Sequence, residues 1–170
     1  MHRSYADAMV FTAIHRALGV APGPLTNDLL DAAVTAGVAE TDDLDWKSAL
    51  PPARGVPNTD FPKDVAAMAN SGGGLIVFGV DEEQKAATDR VDVGEVSETY
   101  ERTLRSAAIT AISPPVFGLG IDTVTSPEGK RAVIVQVPAG HIIVPTPPQP
   151  SGRACVPRAR LPHRGCAGSA

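Results

Sequence analysis

The stretch Ala66–Glu83, AAMANSGGGLIVFGVDEE, restricts the fold of this chain more than any other. LIVFGV is almost continuously apolar, the pattern of a central strand covered on both faces, and such a strand needs a layer on each side. Before it, Val65, Ala66, Met68 and Ala69 recur at helical spacing, with Asn58, Thr59 or Asp60 placed to cap the helix. Gly72 reads as the left-handed residue past the helix end, and Gly73 and Gly74 turn the chain into the sheet. These glycines do not read as a phosphate cradle. A Walker-type loop runs strand, GxxxxGK[ST], helix, which brings the lysine and the helix amides onto the phosphates. Here the order is helix, glycines, strand, and neither GK[ST] nor GxGxxG spacing follows. No nucleotide cofactor is expected.

Other elements follow from local patterns. Ser4 can cap a helix carrying Met9, Val10, Ala13, Ile14, Ala17 and Leu18, stopped by Gly19. Thr26 or Asn27 can cap a second, through Leu29, Leu30, Ala33 and Val34 to about Gly37. Neither helix has a basic recognition face, which favours a packing or dimerisation hairpin over a helix-turn-helix. Leu44 and Trp46 alternate with Asp43, Asp45 and Lys47, the sign of a strand with one buried face. VSETYERTLRSAAITAIS reads as an amphipathic helix capped by Ser97, with Glu101 and Arg105 as an i,i+4 pair and Pro114–Pro115 as its end. VFGLGIDTVTS and RAVIVQVPAG read as two strands joined by a PEGK turn. The order β-α-β-α-β-β defines an α/β fold with a mixed sheet and packed helices, preceded by a short helical pair. The expected organisation is a hairpin over residues 1–37, an α/β domain over 38–145 and an irregular Pro/Arg-rich tail over 146–170. The tail's composition is also that of a shifted reading frame in GC-rich coding sequence.

Composition narrows the function. No apolar run reaches the roughly 20 residues of a membrane helix, and the N-terminus lacks the form of a secretion signal, which makes the cytoplasm the expected compartment. Cys155 and Cys166 flank His163 with no CxxC pair, the pattern of unpaired thiols rather than a zinc site. The net charge of −4 is uneven: the first hundred residues hold sixteen of the 19 acids, and the last twenty hold four arginines and no acid. An acidic body does not hold nucleic acid by bulk electrostatics. It does suit carboxylates gathered on a divalent cation. Glu40, Asp42, Asp43 and Asp45 surround one strand start, and Asp81, Glu82 and Glu83 close the central strand. If those strands are neighbours, Glu40, Asp45 and Asp81 can converge on Mg²⁺ or Mn²⁺; the alternative is solvated strand ends.

ETDDLDWK, then DVAAMANSGGGLIVFGVDEE, then SAAITAISPPV and RAVIVQVP, together resemble the Schlafen Alba-like domain. Its pattern runs E-x4-[ED]-F-K, a helix ending AfaNt-x-GG, a strand ending liGvdD, and a later vlvi.Vp strand. The resemblance spans Glu40 to Pro138. It implies an α/β domain that binds nucleic acid, described in bacterial members as DNA-binding or transcription-regulatory. Some eukaryotic members are metal-dependent ribonucleases acting on structured RNA, with three carboxylates that fall here on Glu40, Asp45 and Asp81. The chain departs from the pattern at Asp45, one methylene shorter than glutamate, at Trp46 in place of phenylalanine, and in the tail, where VPRARLPHRG only echoes a P-x-R-x-G element.

Three readings stay open. The first is a regulatory domain binding DNA or RNA through Lys47, Arg102, Arg105, Lys130 or Arg131. The second is a divalent-metal endoribonuclease in which Glu40, Asp45 and Asp81 hold the ion and Lys47 steadies the charge of the pentacovalent phosphate. The third is a non-enzymatic interaction module that forms a homodimer through the helical pair.

Overall fold

The computed structural model describes residues 9–140 and the backbone of 144–145. Its central strand is the apolar run seen in the sequence. Strands β1 (Leu44–Lys47), β2 (Gly74–Phe78), β6 (Gly120–Thr125) and β7 (Arg131–Val137) form one mixed sheet in the order β1-β2-β7-β6. β1 lies parallel to β2, whereas β7 is antiparallel to both β2 and β6. Side chains alternate across a strand, so β2 divides its apolar residues between two cores. Ile76 and Phe78 meet helices α3 (Phe61–Asn70) and α4 (Glu98–Thr110) through Val65, Ala69, Leu104 and Ala107. Leu75 and Val77 face the opposite layer with Leu44, Trp46 and Ile134.

That second layer is built by the N-terminal helices α1 (Ala13–Leu18) and α2 (Asn27–Thr35), whose Ala13, Ile14, Leu30 and Ala33 are buried in the same core. Thr26 is the N-cap of α2 and accepts the Leu29 N–H at 3.2 Å, as expected. Helix α1 is shorter than its apolar spacing suggests. Val10 exchanges backbone hydrogen bonds with Gly23 at 3.0 and 3.1 Å, which holds Met9 and Val10 outside the helix. Thr12 becomes the cap, its N–H donating to His15 Nδ1 at 3.3 Å. Ser4 and the 146–170 tail lie outside the described residues. Among the described residues no helix is long and apolar enough to cross a membrane.

The main departure from expectation is at Gly79. LIVFGV is not one strand: β2 ends at Phe78, and Gly79 (φ +98°) turns the chain into a hairpin, β3 (Val80–Glu83) and β4 (Ala86–Arg90). A Cβ at Gly79 would fall 2.9 Å from the carbonyl oxygens of both Val91 and Arg131, which leaves room for glycine alone. The hairpin turns through Gln84 and Lys85, both at positive φ, the geometry of a type I′ turn. Buried Arg90 ties the hairpin to α2, pairing with Asp31 and donating to Asn27 Oδ1 at 3.0 Å and the Lys130 carbonyl at 3.3 Å. Beyond α4, the short strand β5 (Ile112–Ser113) pairs with β8 (Val144–Pro145).

Candidate functional site

β1 is an edge strand whose two faces serve different purposes. Leu44 and Trp46 are buried on the α1–α2 side, which turns the partly exposed Asp45 and Lys47 toward α3. The loop before it folds back through Thr41 and Leu44, which bond each other's backbone at 3.0 and 3.1 Å. That turn returns the Glu40 carboxylate to the strand edge, where Oε1 accepts the Trp46 N–H at 3.2 Å. The E-x4-D-W-K spacing is therefore the span of one turn plus the edge amide it caps. The indole of Trp46 donates to the Val38 carbonyl at 2.9 Å, which satisfies the polar atom that distinguishes it from phenylalanine.

Glu40 and Asp45 come together: burial raises the Glu40 pKa, and the Asp45 side chain and the charges of Asp45 and Glu82 add to it, against the Trp46 N–H. Lys47 Nζ lies 3.0 Å from Asp45 Oδ2 and 3.6 Å from Asp64 Oδ2. Burial opposes the Lys47 ammonium, but Asp45, Asp64 and Glu40 outweigh it and its pKa rises. Burial also pushes the Asp64 carboxyl up, with Asp45 and Asp60 reinforcing it and Lys47 opposing. Two clefts meet at this cluster. One, of about 340 Å³, is lined by Lys47, Asp60, Phe61, Asp64 and Phe78; the other, of about 280 Å³, by Glu40, Asp45, Lys47, Asp64 and Met68. Lys47 and Phe78 end the two parallel strands, and the carboxyl ends of parallel strands are where α/β sheets open a crevice.

The structure thus gathers Glu40, Asp45 and Lys47 and adds Asp64, which the sequence reading did not single out. A signal for it existed. In a β-α-β unit the helix starts near the end of the first strand, which sets an acid in the first turn of α3 beside the last residue of β1. Asp81 is placed differently. It is exposed on β3 and pairs across the hairpin with Asp89, because Gly79 ends β2 before the carboxylates begin. The β3 carboxylate acting on Glu40 is Glu82. Among the described residues no group of three Asp, Glu, His or Cys side chains is placed to hold a metal ion. Of the three carboxylates expected around a cation, Glu40 and Asp45 stand together beside Lys47, while Asp81 is carried on the β3–β4 hairpin.

The other basic candidates are also engaged. Arg102 pairs with Glu98, Arg105 with Glu101, Lys130 with Asp89 and Arg131 with Asp92. Arg54 and Lys85 are exposed and make no ion pair among the described residues.

A stability measurement checks the Glu40–Asp45 contact. A carboxyl whose pKa is raised on folding loses stabilisation as pH rises through that pKa. Glutamine at position 40 keeps the acceptor for Trp46 and removes the like charge. Glu40→Gln is expected to melt higher than the unaltered protein at pH 7, with the difference closing below the ordinary carboxylate range. Equal melting at both pH values would contradict the contact.

The family described as Schlafen, AlbA_2 matches residues 40–155, and the chain belongs to that family. No curated protein matches it. Among solved structures, the N-terminal domain of a RecG-related protein from Nitrosomonas europaea is similar at 19% identity, covering 94% of this chain and all of that one, with a TM-score of 0.48. A protein of Corynebacterium diphtheriae is similar at 19% identity and a TM-score of 0.41 over 69% of this chain, which spans 23% of that one.

Proposed function

We propose that this chain is a nucleic-acid-binding domain with a regulatory role, and that it meets the phosphate backbone at the clefts beside Lys47. The observation that carries the reading is the position of Lys47 in a Schlafen, AlbA_2 domain: at the carboxyl end of β1, lining both clefts. Exposed Arg54, in the loop between β1 and α3, and Lys85, at the hairpin tip, supply further cations. The acidic body limits long-range attraction, which makes affinity depend on these local contacts rather than on the overall field.

Filter binding of labelled single-stranded DNA and hairpin RNA over a salt series is the test. Affinity is expected to fall as salt rises, and Lys47→Ala is expected to weaken binding and lower the logarithmic salt slope by about one. Binding indifferent to both salt and Lys47 would refute phosphate contact at this cleft.

A further inference from the structure

Two features of the Lys47 cleft pull against each other. The ammonium lies where a phosphate oxygen would meet it, yet it is held by carboxylates of the chain itself, at 3.0 Å from Asp45 and 3.6 Å from Asp64. The two partners are not equivalent. Asp45 stands two residues before Lys47 on the same face of the same strand. Asp64 comes from α3, across the opening, and lines both clefts together with Lys47. A carboxylate in that position presents anionic oxygens to the lysine as a phosphate does, and the two compete for the same ammonium.

We propose that Asp64 is an internal competitor for the phosphate site, occupying the Lys47 ammonium in the free protein and setting the threshold for nucleic-acid binding. This deepens the reading given above and rests on it. The longer 3.6 Å contact is the one that yields, leaving the Asp45 pair to orient the lysine. The raised pKa of Asp64 accords with this role, because a half-buried carboxylate flanked by Asp45 and Asp60 is poorly stabilised where it stands. Asp60 provides an internal comparison. It lines the larger cleft but pairs with Lys63 at 2.9 Å, with both side chains mostly exposed.

The test compares Asp64→Asn, Asp60→Asn and the double variant Lys47→Ala/Asp64→Asn with the unaltered protein, using the same labelled DNA and RNA. Asp64→Asn is expected to tighten binding about fivefold, the equivalent of losing one partly exposed ion pair, with the salt slope little changed because Lys47 meets one phosphate in both proteins. Asp60→Asn, which removes the same charge but frees the mostly exposed Lys63 rather than Lys47, is expected to change affinity less, and the double variant to lose the gain. Unchanged or weaker binding by Asp64→Asn overturns the competitor role, as does an equal gain from Asp60→Asn. If the unaltered protein binds nothing while Asp64→Asn binds, the competitor role stands and the unaided phosphate contact falls. If neither binds, both fall. Thermal melts of every variant separate a binding effect from unfolding.

Discussion

Replacing Trp46 with alanine is expected to lower stability by about 3–5 kcal/mol, the range for truncating a fully buried large aromatic side chain. Trp46 is 1% exposed, and its ring fills the core between the sheet and helices α1 and α2 beside Leu44, Leu75 and Val77. Little in that layer can collapse into the space, because its neighbours are fixed by strand pairing on one side and by two short helices on the other. The loss would also loosen the edge strand that carries Asp45 and Lys47. Trp46→Phe isolates the indole hydrogen bond. The Val38 carbonyl keeps the Ala87 N–H at 3.1 Å, so phenylalanine leaves no orphaned acceptor and is expected to cost only about 1 kcal/mol. Urea unfolding of both variants measures the two amounts, and an alanine cost no larger than the phenylalanine cost would mean that the ring is not a core residue.

Gly73→Ala is the second large effect, expected at about 2–6 kcal/mol from two independent sources. Gly73 has φ +89°, a conformation that costs a side-chain-bearing residue about 1–3 kcal/mol. A Cβ there would also fall 2.7 Å from the Val137 carbonyl oxygen and 2.8 Å from the Ala139 nitrogen, and overpacking of this kind adds about 1–3 kcal/mol. Its neighbour separates the two sources. Gly72 has φ +102° with open space where the Cβ would stand, so Gly72→Ala should show the backbone strain alone. Equal destabilisation by the two substitutions would mean that the glycine turn does not press against the end of β7.

What was legible in the sequence was local. The alternation of Leu44 and Trp46 marked β1, Thr26 and Ser97 marked two helix starts, and Glu101 and Arg105 marked a pair that stands at 3.2 Å. Each signal lies within one or two turns of chain, where spacing alone decides which side chains can meet. The β3–β4 hairpin escaped because its turn residues, Gln84 and Lys85, are not the Asn-Gly or Asp-Gly that positive φ usually selects. Without a turn signal, VDEE reads as the end of β2, whereas Asp81 stands on β3 opposite Asp89.

The apolar run through Phe78 determined by itself that a central strand would need cover on both faces, and the alternation of Leu44 and Trp46 with Asp45 and Lys47 determined that the acid and the lysine would share the open face of β1. Both are consequences of side-chain period. Which acid would stand opposite Lys47 was decided only by tertiary structure. The parallel β1–α3–β2 crossover sets the first turn of α3 against the end of β1, while the close approach of Arg131 and Val91 at Gly79 directs Asp81 into a separate hairpin. Those neighbours are far apart in the chain, and only folding makes them adjacent.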